Sequence, residues 1–169
     1  MVYLTLGSNI EPERNLRAAV RELDAVLGVE AVSRAYEAAP VGAPGSPRFL
    51  NAAVAVRTPL DPGDLKFRIL RPIEARLGRV RTSDPNAPRT IDLDIALVDG
   101  ARFVDEELEL HVPDPELGGS AHLALPLRDL APDLVPPGHR ATLADLAARL
   151  EPGADIRVRE DIDLRERPA

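Results

Sequence analysis

The 169-residue sequence contains no cysteine, which excludes disulfides, thiolate nucleophiles and cysteine-ligated zinc. Aromatic residues make up only 3% of it, so a core must be assembled from Leu, Val, Ile and Ala. An aromatic side chain in a loop therefore stands out. Lysine is almost missing: all the basic residues are arginine except Lys66. No apolar run approaches the roughly 18 residues needed to span a bilayer. The N-terminus lacks the basic segment followed by an apolar one that marks a signal peptide. A net charge of −7 lacks the basic footprint on which sequence-independent nucleic-acid binding rests, yet it is compatible with a local arginine pocket for a small anion. These absences point to a cytoplasmic protein with no nucleic-acid or membrane partner.

What is present is the composition of a globular chain, 44% hydrophobic and 29% charged, with 17 prolines to stiffen its loops. Its length fits a single domain over residues 1–169, able to bury roughly two thirds of its unfolded surface. A short β-run at residues 2–6 is closed by Gly7-Ser8-Asn9. Residues 11–27 carry a helical apolar stripe that Gly28 stops. Strand patterns follow at 29–36 and at 49–57, with a Pro/Gly loop between them and Asn51 set inside the second apolar run. Asp61 as N-cap and Pro62 at the first helical position open a helix through residue 77.

A second irregular loop, 79–88, leads into an acidic strand. Asp99-Gly100 is a hairpin turn into residues 101–104. Residues 108–115 are extended, and 121–130 and 142–150 are helical. The charged tail, 151–169, forms an edge strand at 155–159 or frays. The order β-α-β-β-α-β is the ferredoxin-like split unit, an α+β plait of three layers, α-β-α, with C-terminal additions from about Pro113.

The acidic strand is the informative one. Successive side chains of a strand point to opposite faces, so Asp92 and Asp94 point one way while Ile91, Leu93 and Ile95 point the other. Two carboxylates roughly 7 Å apart on one face repel each other, and folding alone gains little from them. A hard dication suits them, since Mg²⁺ is held by one or two carboxylates with substrate phosphates completing its shell. Arg79, Arg81 and Arg89, in the loop just before, offer forks that match phosphate geometry. The plain alternative is a solvated outer face. Glu74, on the preceding helix, either faces the same cleft or is merely solvated. Together these residues suit metal-assisted phosphoryl or nucleotidyl transfer, with arginines and metal in place of the missing Walker A cradle.

Three blocks are similar to the 6-hydroxymethyl-7,8-dihydropterin pyrophosphokinase family. They are Tyr3-Leu4-Thr5-Leu6-Gly7-Ser8-Asn9, then Phe49-Leu50-Asn51-Ala52-Ala53-Val54, and then Gly78-Arg79-Val80-Arg81 leading into Pro88-Arg89-Thr90-Ile91-Asp92-Leu93-Asp94. A weaker block runs from Leu123 to Pro132. The resemblance implies an enzyme that moves a pyrophosphoryl group from ATP to a pterin alcohol. It implies two Mg²⁺ ions on Asp92 and Asp94, and catalytic roles for Arg79, Arg89 and both aspartates. ATP would be bound by Glu74, Arg79, Arg81, Arg89 and Ile95. The pterin would meet Val41, Phe49, Asn51 and His122, in a monomer whose partners are small molecules.

The chain also departs from that family. Asp114 stands where a histidine is usual, Ser120 where an arginine is, and His122 where a second stacking aromatic is; Asn86 replaces an aromatic in the mobile loop. The departures lie on the acceptor side, so an altered acceptor, or a non-catalytic ligand-binding plait, are the rival readings. His111 is expected to be structural or exposed, and His139, in a proline-glycine turn, to face solvent.

Overall fold

In the computed structural model, which describes residues 1–165, the apolar alternations and helical stripes fold as their periods require. The first half holds β1 (Val2–Ser8), α1 (Pro12–Leu27), β2 (Val29–Val32), β3 (Tyr36–Ala38), β4 (Phe49–Val56), α2 (Pro62–Asp64) and α3 (Arg71–Arg76). The second half holds β5 (Asp92–Val98), β6 (Phe103–Asp105), β7 (Leu110–Val112), α4 (Ala121–Leu130), α5 (Leu143–Leu150) and β8 (Ile156–Val158). Six strands form one sheet in the order β5-β1-β4-β3-β8, with β2 also on β4. β1 runs antiparallel to both of its neighbours. This is the ferredoxin-like plait, with β8 added at one edge. Among the described residues no helix is long and apolar enough to cross a membrane.

Two cores sandwich the sheet. Leu4, Leu6, Val54, Val56 and Leu93 pack against Leu16 and Leu23 of α1 and Ile73 of α3. On the other face, Tyr36, Ala53 and Ala55 pack against Leu125 and Leu127 of α4 and Leu146 of α5. β4 is covered on both faces, which is why it reads as a nearly unbroken apolar run.

Three expectations are corrected. Residues 29–36 are two strands, because Ser33 enters the ladder with its side chain: its hydroxyl accepts the Ala53 N–H at 2.8 Å, and its own N–H donates to the Ala53 carbonyl at 2.9 Å. The register on β4 then slips by one residue before Tyr36. The helix over 61–77 is interrupted by a π-helical stretch, Leu65–Leu70, just before Pro72. Proline has no N–H to donate to the preceding turn, and an extra residue per turn accommodates that loss. The hairpin at Asp99-Gly100 closes only one bridge, Val98 with Ala101, and β6 pairs with β7 instead. The Asp114 N–H occupies the Ala96 carbonyl at 2.8 Å, a place a returning hairpin strand would use.

The tail does form an edge strand, β8, on β3; its last residues, 166–169, lie outside those described. α5 starts at a capping box. Thr142 Oγ1 accepts the Asp145 N–H at 3.1 Å, and the Asp145 carboxylate accepts the Thr142 N–H at 3.2 Å. Thr142→Ala is expected to lower stability by about 1 kcal/mol, read as a lower urea midpoint at unchanged slope.

Candidate active site

Neighbouring ends of β5, β1 and β4 come together along one rim of the sheet, across the strands, and the register of β1 decides what stands beside what. Gly7 lies between Asp92 and Asn51, and Thr5 between Asp94 and Ala53. A β-carbon at Gly7 would come within 3.3 Å of Asn51 Oδ1 and 3.9 Å of the Phe49 ring. The small residues of β1 thus form an open floor between the acids and the Asn51 amide. Asn51 is buried, with Nδ2 donating to the Tyr36 carbonyl at 3.5 Å.

Two clefts open from this floor. The larger, about 470 Å³, is lined by Phe49, Asn51 and His122, by Val41 and its loop neighbours, and by Asn86, Glu116 and Ser120. The smaller, about 320 Å³, is walled by Arg79, Arg81 and residues of the 79–88 loop. Asp92, Asp94, Arg89 and Pro85 line both, so the acidic pair stands where the clefts join. The larger cleft is partly apolar; the smaller one gathers three arginines, Arg79, Arg81 and Arg89, with three aspartates, Asp84, Asp92 and Asp94.

Charge is concentrated at the junction. Burial first, then the negative charge of Asp92, pushes the Asp94 carboxyl up to about 6. Asp92 is compensated by Arg89 Nη1 at 2.6 Å and, more distantly, by Arg79 Nη2 at 3.8 Å. The Arg79 side chain is only 11% exposed, and burial lowers its pKa from the ordinary arginine value. Its Nε and Nη1 are buried without a hydrogen-bond partner among the described residues. A buried cation with unpaired donors is costly, and an anion in the smaller cleft would satisfy it.

Arg89 is held from several sides. Its N–H donates to Asn9 Oδ1 at 2.7 Å, its carbonyl accepts the N–H groups of Asn9 and Ile10, and Nη2 donates to the Pro85 carbonyl. Its guanidinium lies 5.6 Å from the Phe49 ring centroid. Phe49 is therefore a cleft wall, not a plain core residue.

Two expected ATP ligands sit elsewhere. Ile95 packs in the core beside α1 and α3 and lines neither cleft, because its alternation on β5 turns it away from Asp94. Glu74 is neither solvated nor in a cleft. Its carboxylate is buried under β5, where Oε1 accepts the Leu93 N–H at 2.8 Å and Oε2 pairs with Arg81 Nη2 at 2.5 Å. Burial pushes its pKa up, opposed by those two partners. Glu74 thus anchors the backbone between the two aspartates and links it to the arginine loop. Asn9 and Glu116 belong to the site without having been singled out. Asn9 appeared only within a turn and the Tyr3–Asn9 block, with no role of its own, and Glu116 belongs to none of the motifs.

The departures from the family fall into place on the same map. Ser120 and His122 line the larger cleft, at the start of α4. Asp114 borders a small hollow with His111 and His139, its Oδ1 accepts the Glu116 N–H at 2.8 Å, and its charge still reaches Asp94 and His122. His139 is half-buried and not fully solvent-facing, since a β-carbon at Gly118 would meet its Cε1 at 3.1 Å. Burial lowers the His122 pKa below the ordinary histidine value, with Glu116 and Asp114 pulling it back. An NMR titration of the His122 ring, assigned by its loss in His122→Phe, is expected to show a midpoint under 6.5; a midpoint at or above that value would remove burial as the dominant influence.

Among the described residues no cluster of three or more His, Cys, Asp or Glu is placed to hold a metal. A dication on Asp92 and Asp94 would draw its remaining ligands from phosphate and water, the habit of Mg²⁺. The donor set fits that ion: hard oxygens, repelling each other, beside arginines suited to phosphate.

A sequence profile of the 7,8-dihydro-6-hydroxymethylpterin-pyrophosphokinase family matches residues 3–132. The 2-amino-4-hydroxy-6-hydroxymethyldihydropteridine pyrophosphokinase of Methylorubrum extorquens is 40% identical over 159 residues, which is 92% of this chain and 97% of that protein. The enzyme of the same name from Pseudomonas aeruginosa is also 40% identical, over 87% of this chain and 90% of its own length. Among solved structures, the Plasmodium falciparum HPPK-DHPS wild type with pteroate superposes with a TM-score of 0.69 at 14% identity, which supports the fold alone. That match covers 88% of this chain and 42% of the Plasmodium chain. The chain belongs to the 7,8-dihydro-6-hydroxymethylpterin-pyrophosphokinase family.

Proposed function

We propose that this chain transfers pyrophosphate from ATP to the hydroxymethyl group of 6-hydroxymethyl-7,8-dihydropterin and releases AMP. The observation that carries the reading is the junction: a cleft lined by Phe49, Asn51 and His122 and an arginine-lined cleft share Asp92, Asp94 and Arg89. The pterin enters the larger cleft, stacked between Phe49 and His122, with its polar edge on Asn51 and the Val41 loop beside it. The ATP phosphates take the smaller cleft and satisfy the unpaired donors of Arg79.

Asp92 and Asp94 would hold two Mg²⁺ ions, which would supply charge neutralisation to the transferring phosphates. Arg89 is set to follow the charge that develops on the transferred group, and Arg81 leaves Glu74 to reach the nucleotide. The hydroxymethyl oxygen attacks the β-phosphorus, the bond to the α-phosphate oxygen breaks, and AMP departs with that electron pair. The hydroxyl proton passes to water or to a carboxylate of the acidic pair as the oxygen attacks, and the rate derives mainly from positioning and electrostatics. The enzyme works as a monomer of one domain in the cytoplasm.

The test is AMP release from Mg-ATP with and without the dihydropterin. Pterin-dependent AMP supports the reading. Because Ser120, His122 and Glu116 make the acceptor cleft polar, the second reading is another alcohol as acceptor; ATP binding without pterin-dependent AMP would favour it.

A further inference from the structure

β8 lies beyond the residues matched by the family profile, yet the chain just before it grips the loop that walls the larger cleft. Asp155 meets both ends of residues 39–48. At one end its backbone carbonyl accepts the Ala39 N–H at 3.1 Å. At the other its carboxylate takes Arg48 in a bidentate pair, Nη1 to Oδ2 at 3.0 Å and Nη2 to Oδ1 at 2.9 Å. Arg48 Nη2 reaches the Asp155 carbonyl as well, at 3.3 Å.

Glu37 gathers the same elements from below. Its carboxylate lies 3.3 Å from Arg48 Nε, 2.5 Å from Arg157 Nη2 and 3.1 Å from Arg159 Nη1. The loop so held supplies Ala39, Pro40, Val41, Ala43 and Ser46 to the cleft wall, and Phe49 follows directly after Arg48. Fixing both ends of a loop removes conformational freedom that a ligand would otherwise have to remove on binding.

We propose that Asp155, acting with Arg48 and Glu37, is a positioning residue for acceptor binding: pairing of Ala38 with Phe49 already brings the ends of the 39–48 loop together, and the C-terminal segment clamps across them and so fixes the wall of the larger cleft. The proposal rests on reading that cleft as the acceptor pocket. A partly exposed ion pair acts weakly alone, but bidentate geometry and the shared Glu37 make this one a network.

Asp155→Ala, Asp155→Glu and Arg48→Ala in the full chain test it. Hydrogen exchange of the ligand-free protein is expected to quicken at the amides of residues 39–48 in the two alanine variants and to stay unchanged in β1 and α1. The KM for the dihydropterin should rise about threefold to fivefold while that for ATP holds, a size such networks transmit. Asp155→Glu should restore both, and the double alanine variant should add little to either single one. Unchanged loop exchange, an unchanged pterin KM, or equal rises in both KM values would each overturn the proposal. If the wild type shows no pterin-dependent AMP release, the acceptor reading fails on that result, and the exchange comparison still decides whether Asp155 holds the loop.

Discussion

Asp94→Asn lowers kcat by about 10³-fold or more and leaves the fold intact, an expected loss of roughly 4 kcal/mol or more of transition-state stabilisation. The substitution keeps the size of the side chain and removes its charge, so the floor of the site, Thr5 and Ala53 beside it, is undisturbed. What disappears is one of two hard ligands on which a dication would sit.

The same variant has a stability signature of opposite sign. The Asp94 carboxyl is raised to about 6 in the folded chain, above its unfolded value near 3.8. A raised folded value means that protonation favours the folded state. That contribution is fully present below about pH 3.8 and is lost as pH rises through 6. In the ligand-free enzyme the ionised Asp94 is therefore a burden at neutral pH, and Asp94→Asn should be the more stable protein at pH 7.5, with the difference shrinking toward pH 5. Steady-state AMP release and urea denaturation at the two pH values check both halves. A variant with normal turnover would remove the metal assignment, and one destabilised at pH 7.5 would remove the electrostatic account.

Arg79→Ala is expected to cost about 10² to 10³ in kcat/KM for ATP, the usual loss for a buried donor aimed at developing charge. Arg79 is distinguished from Arg81 by its surroundings. Its side chain is 11% exposed with two nitrogens unpartnered, whereas that of Arg81 is 47% exposed and already paired with Glu74. Arg81→Ala should accordingly cost less, on the order of tenfold. Arg79→Lys should recover little, because a compact ammonium cannot present the same fork from this depth. Calorimetric titration with Mg-ATP separates binding from turnover. Equal losses at the two arginines would contradict the ranking that burial implies.

Much of this was legible along the chain because it depends on local geometry. A strand repeats every two residues, so Asp92 and Asp94 had to share a face. Helical periodicity and the flanking Gly28, Asp61 and Pro62 marked the two helices of the plait, and Thr142 marked the start of the last one. The blocks around Gly7, Asn51 and Arg89, far apart in sequence, lie together at the two clefts, as the proposed phosphate and pterin site requires. Legibility ended where a residue's role depends on a neighbour distant in sequence. Ser33 split a strand because its hydroxyl met Ala53 twenty positions away. The hairpin after β5 failed because Asp114 reached its edge first.

The sequence by itself determined which side chains alternate, where helices begin and stop, and that acids and arginines gather in one stretch; backbone geometry and proline or glycine chemistry act within a few residues. Only the tertiary structure decided that Gly7 would separate Asp92 from Asn51, that Glu74 would vanish beneath β5 to hold Leu93 and Arg81, that Ile95 would serve the core, and that Asp155 would pair with Arg48, more than a hundred residues before it. Those assignments follow from strand order and register, which bring far-apart segments into contact, and no local pattern encodes the partner at the other end.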